Sequence, residues 1–98
     1  MAKKLKVLGV KYSLAEKTQK EDPELDCAGY VLYAEKKIVI DSEIPVDYMK
    51  RKVIRHEIVH AFLHESGMSA YSQDEDIVEW IAAQAPKLFK TFQEVGAM

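Results

Sequence analysis

His56, Glu57 and His60 stand in the order His-Glu-x-x-His within Arg55-His56-Glu57-Ile58-Val59-His60-Ala61-Phe62-Leu63-His64. On an α-helix, residues four apart project from the same side one turn apart, so the two imidazoles can close on one metal ion. Glu57 is turned about 100° from His56 at 3.6 residues per turn. Its carboxylate therefore lies beside the clamp, able to act on a water at the ion without filling the coordination shell. Zinc suits this set, because it accepts imidazole nitrogen and carboxylate oxygen at about 2.0 to 2.2 Å, and a catalytic zinc takes three protein ligands and leaves a fourth position open. Two histidines thus predict a third ligand elsewhere in the chain.

His64 continues the four-residue series but is not that ligand. At 1.5 Å rise per residue it lies about 12 Å along the helix from His56, too far for one ion. It is expected at the rim of the cleft or over the helix end, where a cationic imidazole also suits the helix dipole. Glu75 and Glu79 are better placed. They are four apart on a run whose Ile77, Ile81, Ala85, Leu88 and Phe92 recur at three-four spacing, and they project roughly 160 to 200° away from Ile77 and Ile81. Ala82 and Pro86 share their stripe. If that stripe lay on the His-Glu-x-x-His helix, one carboxylate would complete the metal shell and the other would accept the free N–H of a ligating histidine. The same spacing equally describes a solvated acidic face.

These residues need two helices to carry them. The first is predicted over 46–66, with Pro45 tolerated in its first turn, Asp47 near its positive end and Gly67 as its stop. Ile54, Ile58, Ala61, Phe62 and Leu63 make it apolar over more than half its circumference, so it is a central helix. A charged trio inside it costs free energy unless something pairs with it. Lys50, Arg51, Lys52 and Arg55 read as a solvated basic face in preference to a nucleic-acid patch. After a connection at Met68 to Gln73 the second helix begins, capped by Ser72 or Asp74, kinked at Pro86 and ended by Gly96.

Upstream, the β-rich run Lys4 to Tyr12 predicts one strand, and the polar stretch from Ser13 to Cys27 a loop or a short helix stopped by Pro23. Tyr30–Ala34 and Lys37–Asp41 around a charged tip predict a hairpin. The expected class is α+β: a small, three-stranded, mainly antiparallel sheet packed on two helices in a single domain, 1–98.

With 98 residues, 48% apolar and 31% charged, the composition is that of a soluble globular chain. A net charge of −2 gives no long-range pull towards nucleic acid or an anionic membrane, and neither is expected as a partner. Cys27 is the single cysteine and makes no internal disulfide; it reads as a small, buried or half-buried thiol. Leu5, Val7, Leu8 and Val10, interrupted by Gly9, form neither a signal-peptide core nor a membrane span. A cytoplasmic location is the expectation.

Four stretches taken together resemble one family. Lys6-Val7-Leu8-Gly9-Val10-Lys11-Tyr12, Gly29-Tyr30 with Lys37-Ile38-Val39-Ile40, Arg55 to Leu63, and Asp74-Glu75-Asp76-Ile77-Val78-Glu79-Trp80-Ile81-Ala82 look like the minigluzincins, small HExxH zinc peptidases of phages and bacteria related to the ImmA/IrrE metallopeptidases. The resemblance implies a minimal zincin-like fold and a zinc-dependent metalloendopeptidase. In it His56, His60 and Glu75 hold Zn2+, Glu79 supports His56, and Glu57 is the general base for a zinc-activated water attacking a peptide bond. The expected substrate is a peptide or protein laid extended along a free sheet edge, with His64 or Tyr71 as a further contact to the oxyanion or substrate. The chain departs from the family in having Glu at position 79, where Asp is common, and His at 64, where an aromatic residue is common. A non-catalytic or latent alternative needs the same ligands: a zinc-stabilised interaction protein, such as an antirepressor or a toxin-antitoxin partner.

Overall fold

The computed structural model describes residues 3–25 and 27–98. Its elements are β1 (Lys3–Val7), β2 (Val10–Lys17), β3 (Gly29–Leu32), β4 (Lys37–Asp41), α1 (Asp47–Glu65), α2 (Ser69–Ser72) and α3 (Glu75–Glu94). The class is α+β as expected, but the sheet has four strands in the order β1-β2-β4-β3 and is mixed. β1 pairs antiparallel with β2 and β3 antiparallel with β4, whereas β2 and β4 run parallel, with Leu14 beside Ile38.

Two expectations fail at the same place. The run Lys4 to Tyr12 is not one strand, because the chain reverses at Leu8 and Gly9, both at positive φ (51° and 81°). Two successive positive φ values give the tight hairpin turn whose twist matches the flanking strands. Leucine seldom adopts that conformation, so the turn lacks its usual Asn-Gly or Asp-Gly signature. The chain then returns as β2 through Ser13 to Lys17, inside the stretch expected to be loop or short helix. The hairpin expected downstream is present as β3 and β4, with Lys36 at φ 56° in the reversal.

The core lies between the sheet and α1. Val7, Tyr12, Ile38, Ile40 and Ala61 are buried together, and Ile54 and Ile58 pack on them. The far end of α1 is tied to the sheet through Glu65, which accepts a hydrogen bond from the Tyr12 hydroxyl at 2.6 Å and pairs with Lys36 at 2.7 Å. Burial and the neighbouring Glu65 charge push the Tyr12 hydroxyl pKa up.

α1 ends where glycine was expected to end it. Gly67, at φ 87°, allows the amides of Gly67 and Met68 to return to the carbonyls of His64 and Leu63, which satisfies the last turn. The connection to α3 contains the short helix α2, not anticipated from the sequence. Asp74 caps α3 by accepting from the amides of Asp76 and Ile77. α3 runs through Pro86 to Glu94 as one helix. Among the described residues, no helix is long and apolar enough to cross a membrane.

Candidate metal centre

α1 presents His56, Glu57 and His60 towards the start of α3. A donor atom from each of His56, His60 and Glu75 lies within 4.8 Å of the others. Glu75 holds one carboxylate oxygen 3.1 Å from His56 Nε2 and the other 2.8 Å from His60 Nε2. Ligand atoms around one tetrahedral ion with bonds near 2.0 Å are themselves about 3.3 Å apart, so small adjustments of these side chains would let the three share an ion.

The outer nitrogens of the two rings are occupied. His60 Nδ1 donates to the Ser72 carbonyl at 2.6 Å, and His56 Nδ1 faces Glu79 Oε2 at 3.0 Å. A carbonyl or carboxylate oxygen accepts, so a ring with its proton on Nδ1 is held by its outer partner and keeps Nε2 free to bind an ion, whereas a ring protonated on both nitrogens donates to Glu75 as well. In the first state two imidazole lone pairs and a carboxylate converge. Such a set could hold a metal ion.

No family model, no curated protein and no solved structure matches the chain.

Glu57 differs from its neighbours. It is 7% exposed and accepts no hydrogen bond from any described residue. Burial pushes its carboxyl up to about 7; the neighbouring His56 opposes this shift and the Glu75 charge adds to it. The carboxylate lines a cleft of about 650 Å³ together with His56, Glu75 and Glu79, and the walls include Ile44, Pro45, Tyr48, Met49 and Val53. On the other side lies Gly29, where a β-carbon would sit 2.9 Å from the Val39 carbonyl and 3.2 Å from Glu57 Cγ. That glycine lets the edge strand β3 lie directly against the glutamate.

The raised Glu57 carboxyl has a consequence for stability in the metal-free protein. The unfolded group titrates near 4.5 and the folded one near 7, so the folded chain holds this proton more tightly. The stabilisation is full below about pH 4.5 and is lost as the pH rises through 7. At about 1.4 kcal/mol per unit this amounts to about 3 kcal/mol. With chelator present, urea unfolding of the wild-type protein is expected to show that loss between pH 4.5 and 8 relative to Glu57→Gln, which has no proton to lose there.

The remaining expected residues fall in different places. Glu79 lies against His56 through one oxygen, and its second oxygen lies 3.1 Å from Lys52, which holds its carboxyl below the usual range. His64 stacks on Tyr33 with ring centroids 4.4 Å apart, beyond the ligand set. Tyr71 is 48% exposed on α2, and among the described residues no hydrogen bond joins its hydroxyl to the cluster. Cys27 is exposed, its thiol donating to the Gly29 carbonyl at 2.9 Å. The basic run is not a solvated face throughout: Lys50 pairs with Glu16 at 2.8 Å, Lys52 with Glu79, and Arg55 donates to Ala82.

Ser72 and Tyr33 are the site residues that sequence reasoning missed. Ser72 was considered only as a helix cap, yet it fastens His60 twice, through its carbonyl on Nδ1 and through its hydroxyl donating to the His60 carbonyl at 3.0 Å. The Tyr33 hydroxyl lies 2.7 Å from that serine hydroxyl. No spacing rule marks these two residues, because their positions depend on α2.

Proposed function

We propose that the protein is a zinc-dependent metallopeptidase of gluzincin type, with His56, His60 and Glu75 as ligands and Glu57 as general base. The observation that carries this reading is the convergence of two Nε2 atoms and the Glu75 carboxylate, next to a buried carboxyl that bonds to no described residue. When bound, zinc would lower the pKa of a coordinated water and polarise the scissile carbonyl.

The protein's own groups perform the rest. Glu57, held against β3 and raised towards neutrality, takes a proton from the attacking water and returns it to the leaving amine. Ser72 and Glu79 hold the imidazole rings in one tautomer and orientation. Burial of Glu57 excludes bulk solvent, so a charge there acts on the reacting atoms with little screening. β3 is an edge strand, running past the centre from Gly29 beside Glu57 towards Tyr33 beside Ser72. An extended peptide adding to that edge would bring its backbone across the site.

The test is loading and removal of metal. Purified protein is expected to take up one zinc per chain and to cleave members of a peptide library. A chelator should abolish cleavage, and added zinc should restore it. Tight zinc without any cleavage would favour the non-catalytic role, in which the ion fastens α1 to α3. Failure to hold zinc overturns both.

A further inference from the structure

A proline has no N–H, so Pro86, inside α3, leaves the Ala82 carbonyl without the helical donor that it would otherwise have. Ala82 is 1% exposed, and a buried carbonyl left unpaired is costly. Arg55 Nε donates to that oxygen at 3.2 Å. Arg55 directly precedes His56, and Ala82 lies one turn beyond Glu79 on the face of α3 that meets α1. Lys52, His56 and Arg55 thus grip α3 from one stripe of α1, the first two through Glu79.

We propose that Arg55 and Pro86 form a paired register device: the proline opens a single acceptor in α3, and Arg55 takes it, setting the axial position at which Glu75 and Glu79 meet the histidines. Other interior carbonyls of α3 have a helical N–H, so an arginine gains little from choosing among them. The open one is unique. The chemistry of α3 makes this choice matter, because Glu75 and Glu79 are identical side chains one turn apart. A slide of α3 by one turn, about 5.4 Å, would bring Glu79 to the place of Glu75 and Ala83 to the place of Glu79. The rings would then keep a carboxylate between them and lose the one that holds His56. Arg55 is a positioning residue: it touches neither the metal position nor the cleft.

This inference rests on the zinc reading for one of its two readouts, and a double-mutant cycle separates the two. Arg55→Ala, Pro86→Ala and the double variant are compared by zinc affinity in competition with a chromophoric chelator, and by urea unfolding of the zinc-free proteins. Arg55→Met, which keeps the aliphatic stem, replaces Arg55→Ala if the latter does not fold. Arg55→Ala is expected to weaken zinc binding by about 10-fold or more, within the range of lost support around a metal. In the Pro86→Ala background, where the helix regains its own N–H, the same substitution should cost less than about twofold, and the unfolding midpoints should be non-additive in the same sense. An equal loss of affinity in both backgrounds, or additive unfolding shifts, overturns the pairing. A wild-type protein that binds no zinc defeats the proposed function, and the zinc-free unfolding cycle still decides for or against the pair.

Discussion

Glu57→Gln is expected to keep its zinc and lose turnover by about two to four orders of magnitude, the usual contribution of a placed general base. The two halves of this result have separate causes. Glutamine matches glutamate in shape, and Glu57 supplies none of the three converging donor atoms, so the ligand set survives the change. Glu57 also accepts no hydrogen bond from a described residue, so no donor is stranded by the substitution. The amide cannot take a proton from water, and catalysis should fail at that step. Metal analysis of the purified variant and mass spectrometry of a digested peptide library measure the two halves. Turnover equal to wild type would refute the role of Glu57 as base. Loss of zinc would mean that Glu57 belongs to the ligand set.

The motif and the two helices were legible because a period of 3.6 residues, a glycine stop and an aspartate cap are all written locally. Helix α1 was expected over 46–66 and is found over Asp47–Glu65; the second helix begins at Glu75, capped by Asp74. The face carrying Glu75 and Glu79 was visible as a stripe, but spacing could not say whether it met α1 or water. That depends on contacts between segments distant in the chain: Lys52 and His56 to Glu79, and Arg55 to Ala82. The partners of the basic run were hidden for the same reason, since they lie 27 residues on at Ala82 and 34 back at Glu16.

The sheet was the least legible part. β1 and β2 are separated by Leu8-Gly9, a turn whose first residue hides in an apolar run, so one strand was expected where two exist. The strand that follows was then assigned to loop. The parallel pairing of β2 with β4 follows from that missed strand: the chain after Lys17 passes over to the far edge, and buried Leu25 anchors the crossing before β3 begins. The sequence pattern of each strand is local, whereas strand order is not.

The sharpest division of roles is between the two glutamates of α3. Glu75→Ala removes a donor atom from the converging set, and on the zinc reading three ligands share a binding free energy of about 10 to 16 kcal/mol. Its loss is expected to lower zinc affinity by about two to four orders of magnitude. Glu79→Ala leaves all three donors in place and frees only the Nδ1 side of His56, so a 10- to 100-fold loss is expected. The exposures of the two residues run against this order, since the Glu75 side chain is 67% exposed and that of Glu79 46%. A purely structural view would therefore expect Glu79 to matter more. Chelator competition on both variants decides between the views. Because Glu75 is the more exposed residue, its removal should cost the zinc-free fold little, and the large effect should appear only when metal is present. Equal losses, or a larger loss from Glu79→Ala, would move the third ligand to Glu79 and place α3 one turn from its observed register.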